Sequence, residues 1–427
     1  MTLLYTVQPG DQLSALARRF GVSQERLRSD NGLAGDQPLV PGQALVVLRP
    51  TRVHQVKAGE TLWGIARETG VPLRRLLQYN PTLAQGHPLQ PGDLLALALE
   101  GEGNGTLPMG GYAYPHTARG DLRQALPFLT DLSVFTYGFR EDGTLVVPED
   151  SGLLEEAARF GLGTMLVLTS MDDSGSFSSQ RAARLFRDPA LQERVLGALV
   201  DTMLEKGYRG LDVDFEYIDP ADRGAFLAFL GQARDRLHQV GLSLHVDLAP
   251  KTSADQTGQL YEAHDYHAIG AIADRVLLMT YEWGYAYGPP MAVAPLPQVT
   301  QVVDYALTEI PAGKIQLGIP NYGYDWTLPH DPSRRAVTLG NQEAVALAAQ
   351  VGAELSFDQT AQAPAFFYVR EGVGHQVWFE DARSIQAKLR LALGRGLGGA
   401  AYWNLLRPFA QNWAELGQVV RLPGGAV

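Results

Sequence analysis

The sequence contains no cysteine among its 427 residues. This absence excludes disulfide bonds and any zinc or iron–sulfur site that is held by cysteine thiolates. No apolar run approaches the roughly 18 residues that a membrane-spanning helix needs, so we expect no membrane span. The first residues, MTLLYTVQPGD, lack a basic segment, a long apolar stretch and a small-residue cleavage site. We therefore expect no signal peptide for classical secretion.

Positive charge is also scarce. The chain has 35 Lys and Arg residues against 46 Asp and Glu, which gives a formal net charge of −11. Long-range attraction to nucleic acid or to an anionic membrane is therefore not expected. The nine histidines are scattered and no His-Glu-x-x-His motif is present, so the sequence predicts no metal site. The remaining composition, 45% apolar and 19% charged, is typical of a globular protein.

A repeat occupies the amino-terminal part of the chain. The segment YTVQPGDQLSALA (5–17) recurs 49 residues later as HQVKAGETLWGIA (54–66). Further along, Asn31 and the Pro-Gly pair 41–42 recur as Asn80 and the pair 91–92. Each unit is predicted to fold as strand, helix, helix, strand, because its leucines have helical spacing between two short apolar runs. We expect the acidic residue after the glycine turn to cap the first helix. We expect the asparagine to end the second helix in a left-handed conformation.

This order of turn, helix, Asn and Pro-Gly resembles the lysin motif (LysM), over residues 3–49 and 52–98. LysM domains bind glycans that contain N-acetylglucosamine, so the resemblance implies binding to peptidoglycan or chitin. The alternative, in which these residues only build the fold, stays open for the leucines and asparagines. The residues that the resemblance implies are Gly10, Asp11, Leu13 and Asn31 in the first unit, and Gly59, Glu60, Thr61, Leu62 and Asn80 in the second.

The predicted domains are LysM units at 1–50 and 51–98, a glycine-rich linker at 99–108 and one large domain at 109–427. In the large domain, apolar runs alternate with helical stretches, which indicates a parallel sheet covered by helices. Eight such units predict an α/β fold of the (β/α)8 TIM-barrel type; a doubly wound open sheet is the alternative. An α+β insertion at about 325–380 follows the seventh strand. The predicted strands are 110–114, 132–139, 164–169, 210–216, 242–249, 275–281, 315–320 and 398–403.

The fourth predicted strand carries three acidic residues, Asp212, Asp214 and Glu216. Because side chains alternate along a strand, all three point to one face, which in a barrel is the interior. Carboxylates at close range raise one another's pKa values. Glu216 is the last of the three, at the carboxyl end of the strand, where barrel enzymes place their catalytic groups. The alternative is an exposed strand with a solvated acidic face.

The run from Arg209 to Glu216 resembles the pattern Asp-Gly-x-Asp-x-Asp-x-Glu of glycoside hydrolase family 18, with Arg209 in place of the first Asp. The resemblance implies that Glu216 is the general acid/base, that Asp214 holds the substrate's N-acetyl group and that Asp212 tunes Asp214. It also implies substrate-assisted catalysis. In that mechanism the acetamido oxygen of the sugar attacks its own anomeric carbon, so no cofactor is required.

Other predicted strand ends agree with this family. The sixth reads Met279-Thr-Tyr281-Glu282, similar to the family's Met-x-Tyr followed by an acid, which is usually Asp. The resemblance implies that Tyr281 donates a hydrogen bond to the attacking acetamido oxygen and that Trp403 forms the floor beneath the sugar. The remaining predicted substrate contacts are Tyr112, Met279, Glu282 and Asn321.

Within the family, two LysM units, the missing export signal and runs such as GIPNYGYDW (318–326) resemble spore cortex-lytic N-acetylglucosaminidases. The implied function is a retaining endo-β-N-acetylglucosaminidase that acts on peptidoglycan, in particular on spore cortex fragments. The implied location is the spore, with synthesis in the mother cell, or the cell wall. A chitinase is the enzymatic alternative. A non-catalytic, lectin-like protein is the other alternative, against which Glu216, Asp214 and Tyr281 argue.

Overall fold

The computed structural model describes residues 3–423 apart from 102, 104 and 173. Each LysM unit is a two-stranded antiparallel sheet that packs against its helices. The first unit has strands Leu3–Thr6 and Ala44–Val47 and helices Leu13–Phe20 and Gln24–Asp30. The second has strands Pro50–Gln55 and Leu94–Leu99 and helices Leu62–Thr69, Leu73–Tyr79 and Pro81–Ala84. The predicted βααβ order is confirmed, with one extra short helix in the second unit.

The acidic residue of each unit does not cap the first helix, so that prediction was wrong. The Asp11 carboxylate accepts from the Gln8 amide at 2.8 Å, and Glu60 accepts from the Lys57 amide at 2.8 Å. Each carboxylate therefore closes the glycine turn, one residue too early to reach the helix. In the second unit the cap is Thr61, whose hydroxyl accepts from the Gly64 amide at 3.1 Å.

The two asparagines do not adopt the left-handed conformation that we predicted; their φ angles are −108° for Asn31 and −135° for Asn80. The Asn31 side chain instead donates to the Val46 carbonyl and accepts from the Val46 amide. Asn80 makes the same pair of bonds with Ala96. Each amide side chain thus bonds with the backbone of the unit's last strand, which explains why Asn recurs at this position.

The large domain is a closed barrel of eight parallel strands, as predicted. Its first strand pairs with both the second and the eighth, which closes the sheet and excludes the doubly wound alternative. The predicted fourth, fifth and sixth strands ran past the ends that the structure shows. The eight strands are Met109–Ala113, Asp131–Phe139, Gly163–Thr169, Gly210–Asp214, Ser243–Leu248, Arg275–Leu278, Ile315–Pro320 and Gly399–Trp403. A two-residue strand, Leu145–Val146, pairs with the end of the second.

The helices cover the outside of this barrel. The sequence also determines where the longest helix, Pro189–Lys206, begins and ends. Asp188 accepts from the Ala190 and Leu191 amides at its start, Pro189 occupies its first turn, and Gly207 ends it with φ 76°. These are ordinary start and stop signals for a helix. The helices are Arg119–Ala125, Ser151–Arg159, Ser179–Arg187, Pro189–Lys206, Arg223–Gln239, Tyr266–Ile272, Leu296–Glu309, Ala382–Gly394 and Ala410–Val419, with 3-10 turns at Leu126–Phe128, Pro220–Asp222 and Ala312–Lys314.

The insertion after the seventh strand is a five-stranded antiparallel sheet with the helix Asn341–Val351 packed against it. It begins immediately beyond the carboxyl end of that barrel strand, so it stands beside the barrel mouth. Its strands are Gly323–Leu328, Val337–Leu339, Ser356–Asp358, Ala363–Arg370 and Val373–Trp378.

The predicted linker is in part a strand. Gly105–Thr106 pairs in parallel with Val420–Arg421, and Leu107 is buried in the barrel core. Residues 102 and 104 of this segment lie outside the described residues. The glycines that indicated flexibility instead allow close approach, because a Cβ on Gly105 would lie 2.7 Å from Leu393. In the part of the chain that the structure describes, no helix has both the length and the apolar character to cross a membrane.

Candidate active site

The fourth barrel strand directs its acidic residues into the barrel. Asp212 and Asp214 are buried, while Leu211, Val213 and Phe215 belong to the core between strands and helices. The strand ends at Asp214, and Glu216 lies on the turn beyond it, followed by Tyr217 with a φ of 54°. A positive φ is costly for a residue with a side chain, and such residues cluster at functional sites.

Arg209, where the family pattern has Asp, precedes this strand at its amino end. Its backbone amide donates to the Thr164 carbonyl and its side chain is exposed to solvent. The departure from the pattern therefore lies at the end of the strand that is opposite to Glu216.

A cavity of about 610 Å³ opens at the carboxyl ends of the strands. Three walls meet there: the strand ends, the segment after the fifth strand and the first strand of the insertion. Its lining residues are Asp214, Glu216, Asp247, Pro250, Thr252, Ser253, Gln256, Leu260, Tyr261, Met279, Tyr281, Glu282, Trp283, Gln301, Tyr324 and Trp403. The structure thus brings together Glu216, Asp214, Tyr281, Met279, Glu282 and Trp403 from the predicted set.

Burial favours the protonated forms of Glu216 and Asp214, the two acidic residues of the fourth strand segment that line the cavity. It raises the pKa of Glu216 to about 7, with help from the charge of Glu282. It also raises the pKa of Asp214 well above its usual range, and the charges of Glu216 and Asp212 add to this. One oxygen of Asp214 has no hydrogen-bond partner among the described residues. At neutral pH a large share of Glu216 is therefore a proton donor, as general acid catalysis requires.

Asp247, which lines the cavity, and Asp212, which does not, share one tyrosine. The Tyr112 hydroxyl lies 2.8 Å from a carboxylate oxygen of each. The hydroxyl donates toward both carboxyl groups. Burial raises the pKa of Asp212 to about 6 and that of Asp247 well above its usual range. Tyr112, predicted as a substrate contact, lies below the cavity rather than in its lining.

Tyr281 and Trp403 form the aromatic part of the site. Burial, followed by the charge of Asp247, raises the pKa of Tyr281 well above its usual range, so its hydroxyl stays a donor. The Trp403 ring packs edge-on against Phe135, with centroids 4.8 Å apart, and against Tyr112 at 5.5 Å. Trp403 is therefore held by the barrel interior while it still lines the cavity.

Glu282 lies at the rim of the cavity with a φ of 68°. The Tyr322 hydroxyl donates to its carboxylate, and the Tyr324 hydroxyl lies 3.0 Å from the same oxygen. Tyr324 belongs to the insertion, so the insertion and Tyr322 together hold this carboxylate in place.

Asn321 does not line the cavity, contrary to its predicted place among the substrate contacts. Its side-chain amide donates to the carbonyls of Asn404 and Arg407, each at 2.9 Å, and it is buried. Asn321 thus links the end of the seventh strand to the segment after the eighth. The position of Asn321 along its own strand does not show this contact, because the partners lie more than 80 residues further along the chain.

Two polar side chains at the site, Asp247 and His264, are absent from the residues that the sequence predicts. Asp247 stands next to Asp214 in the strand register, because Val213 pairs with Val246. The alternation of the fifth strand was the signal that would have placed it inside the barrel. His264 was the second: its Nδ1 accepts from the Ala249 amide at 2.9 Å, so its Nε2–H donates to the Phe215 carbonyl at 3.1 Å.

In the LysM units the predicted glycan-binding residues fall into two groups. Gly10, Gly59 and Thr61 are exposed, and Asp11, Leu13, Glu60 and Leu62 are half-buried; Asn31 and Asn80 are buried. Glycan binding by the exposed loops stays a prediction.

Within the described residues, no group of three or more His, Cys, Asp or Glu side chains is arranged to hold a metal ion.

Comparison with known families places two models on this chain. The family described as glycosyl hydrolases family 18 matches residues 112–407. The LysM domain model matches residues 5–47 and 54–97.

Some similar proteins and structures match the LysM units and the barrel together, and others match the barrel alone. The cortical fragment-lytic enzyme of Bacillus cereus is 37% identical over 435 aligned positions, which cover 97% of this chain and 98% of that protein. The crystal structure of the Bacillus cereus spore cortex-lytic enzyme SleL superposes with a TM-score of 0.83 at 36% identity, covering 99% and 98% of the two chains. A chitinase structure from Chromobacterium violaceum has a TM-score of 0.67 at 26% identity and covers 73% of this chain and 98% of that one.

Proposed function

This chain belongs to the glycosyl hydrolases of family 18, and from that premise we propose that it hydrolyses the glycan of peptidoglycan after N-acetylglucosamine, with retention. It is a glycoside hydrolase with two LysM domains. Relatives of nearly equal length are named cortical fragment-lytic enzymes, and two similar crystal structures are of spore cortex-lytic enzymes, which supports cortex peptidoglycan as the substrate. The same relatives and the LysM domains support association with the spore or the cell wall.

The observation that carries the proposal is the arrangement of three groups in one cavity. Glu216, Asp214 and Tyr281 all line it. Burial raises the pKa of Glu216 to about 7 and raises the pKa of Tyr281 well above its usual range, which keeps its hydroxyl protonated. In this set Glu216 can donate a proton to a leaving group, and Asp214 and Tyr281 can form hydrogen bonds with an acetamido substituent of the sugar.

The proposed reaction uses the sugar's own acetamido oxygen as the nucleophile. That oxygen bonds to the anomeric carbon while the glycosidic bond breaks, and Glu216 gives its proton to the departing oxygen. Asp214 accepts a hydrogen bond from the acetamido N–H as this group becomes positive, and Tyr281 donates to the carbonyl oxygen. Water then attacks the anomeric carbon and displaces the acetamido oxygen, whose bond to that carbon breaks, while the Glu216 carboxylate takes a proton from the water. The two successive displacements retain the configuration.

The LysM units supply a second contact with the polymer. A linked binding module raises the local concentration of the catalytic cleft on its substrate without new contacts in the cleft. We propose that the exposed loops around Gly10 and Gly59 bind N-acetylglucosamine residues of the same polymer.

The test compares wild type with Glu216→Gln on cortex peptidoglycan fragments and, in parallel, on chitin oligomers. Glu205→Gln, an exposed position on the helix before the fourth strand, is the matched control. Mass spectrometry of reduced ends should show new N-acetylglucosamine ends from peptidoglycan with wild type and Glu205→Gln. The Glu216→Gln variant should lose at least about 100-fold in rate, the scale of a general acid's contribution.

Two other outcomes would contradict the proposal. Cleavage of chitin oligomers without cleavage of peptidoglycan would make the protein a chitinase. Binding of either polymer with no cleavage by wild type would make it a glycan-binding protein.

A further inference from the structure

The first LysM unit contributes a residue to a hydrophobic core that is not its own. Val40, which is 2% exposed, packs in a cluster with residues of the insertion. The core of the LysM unit itself is a separate cluster without Val40. The insertion residues around Val40 are Ala344, Ala348, Leu355, Phe366, Tyr368, Val377 and Phe379.

The backbone on either side of Val40 is fitted to the same surface. The Leu355 amide donates to the Pro41 carbonyl at 2.9 Å. A Cβ on Gly42 would lie 1.9 Å from the Leu355 carbonyl oxygen, so no larger residue fits there. Arg383 donates to the Gly42 carbonyl at 3.2 Å while its guanidinium lies 4.1 Å from the centroid of the Phe357 ring.

The second LysM unit shows that the LysM fold does not require these features. Its equivalent turn has Gln90 where the first has Val40, and Gln90 is exposed. No described atom lies within 4 Å of a Cβ built on Gly92, the counterpart of Gly42. Both turns are nevertheless closed by the same kind of bond, from Val40 to Gln43 and from Gln90 to Asp93. The apolar residue and the close approach in the first unit therefore serve the contact with the insertion.

This shared core lies one strand away from the cavity. Val377 and Phe379 flank Trp378, which pairs with Tyr324 on the neighbouring strand. Tyr324 lines the cavity and holds Glu282 through a hydrogen bond of 3.0 Å. A displacement of the insertion would therefore move Tyr324 and remove one of the two tyrosine hydroxyls that hold Glu282, leaving only the bond from Tyr322.

We propose that the first LysM unit is a structural part of the catalytic cleft. Its turn at Val40–Gly42 completes the core of the insertion and so positions Tyr324 and Glu282; Val40 and Gly42 are positioning residues. Hydrolysis then depends on this unit even when the glycan is too short to reach a LysM loop. The predicted effect on hydrolysis rests on the proposed function, whereas the predicted effect on the structure of the insertion does not.

The experiment uses the full chain with Val40→Gln, which copies the second unit, and Gly42→Ala. Gly92→Ala is the matched control, since Gly42 and Gly92 have similar positive φ angles of 83° and 99° and only Gly42 faces Leu355. The substrate is a reduced peptidoglycan tetrasaccharide. We expect kcat/KM to fall about tenfold in the first two variants, within the range for misplaced active-site groups, and to stay at the wild-type value in Gly92→Ala.

Two further readouts separate positioning from general loss of structure. The charge of Glu282 raises the pKa of Glu216. Loss of the Tyr324 bond should let Glu282 move away from Glu216 and so shift the basic limb of the pH profile to lower pH in Val40→Gln and Gly42→Ala. Amide hydrogen exchange of Gly323–Leu328 and Val373–Trp378 should become faster in these two variants and not in Gly92→Ala. Val40→Ile should lie closer to wild type than Val40→Gln does, because it adds one methylene but keeps the position apolar, whereas glutamine buries an amide group.

The proposal is overturned if all variants match Gly92→Ala in exchange and in tetrasaccharide hydrolysis, or if only binding to the insoluble polymer changes. Failure of wild type to cleave any peptidoglycan fragment would instead refute the proposed function. Hydrogen exchange would still decide whether the LysM unit holds the insertion in place.

Discussion

At the scale of single residues, the site depends on carboxyl groups whose charges are suppressed by burial. Asp212, Asp214, Asp247 and Glu216 all have raised pKa values. Of these, Glu216 lies closest to bulk solvent, because the other three are buried and it is half-buried. A site that holds several carboxyl groups partly neutral can keep one of them protonated near pH 7, which is the condition for a general acid.

The pH dependence of hydrolysis should report Glu216 directly. In the proposed mechanism Glu216 acts in its protonated form, so kcat/KM should fall as pH rises through about 7, the value to which burial raises its pKa. Glu282→Gln removes a nearby negative charge, so Glu216 loses its proton more easily and the basic limb should move to lower pH. A pH series of kcat/KM on cortex fragments measures both midpoints. An unchanged midpoint in Glu282→Gln would show that the two carboxylates do not interact.

His264 is expected to position Glu216 through the preceding peptide group. Burial lowers the pKa of this histidine to about 4, so it is neutral and bridges the Ala249 amide and the Phe215 carbonyl. His264→Leu leaves both groups unpaired, which should cost about 1–3 kcal/mol each and lower kcat more than it raises KM. His264→Gln, which both donates and accepts, should recover part of kcat. Equal kcat values for the two variants would contradict this role.

At the scale of elements, the helix before the eighth strand is held by a buried ion pair. Lys388 lies within this helix and Glu380 just before it; both are essentially inaccessible, and their charged atoms are 2.7 Å apart. Burial raises the pKa of Glu380 to about 7. A buried pair is costly to break because one charge is then left without a partner.

Lys388→Met should therefore destabilise the protein by about 3–5 kcal/mol. Adding Glu380→Gln to this variant removes the unpaired carboxylate and should restore a measurable part of the loss. Urea unfolding followed by circular dichroism measures the free energy of unfolding of both variants. If the double variant is no more stable than Lys388→Met, the unpaired charge is not the cause of the loss.

At the scale of the whole molecule, both LysM units are joined to the barrel by buried contacts. Gln411 on the last helix donates to Asn31 and to the Ala44 carbonyl of the first unit. Gln78 of the second unit donates to the Pro127 carbonyl at 2.7 Å. One hydrophobic cluster includes Val46, Tyr79 and Ala382, and so spans both LysM units and the barrel. The molecule is thus one packed body over its described residues.

Thermal unfolding of the full chain should accordingly show a single cooperative transition in calorimetry. Units that share a buried core unfold together, whereas modules on a flexible linker unfold separately. A segment of residues 1–100 expressed alone should melt at a lower temperature than the full chain, because Val40 and Tyr79 lose their partners. A separate LysM transition in the full chain, at the temperature of the isolated segment, would contradict this expectation.

The sequence by itself determined most of the elements and the strand that carries the acidic residues, because these follow from local periodicity. The 49-residue repeat, the eight alternating units and the acidic face of Asp212, Asp214 and Glu216 are all visible along the chain. Only the tertiary structure decided which distant groups meet. It placed Asp247 against Tyr112, moved Asn321 out of the cavity, joined the predicted linker to the last strand and inserted Val40 into the core of the insertion. The physical reason is that the periodicity of a segment indicates which way a side chain points. The residues that this side chain contacts belong to segments that are distant in the sequence.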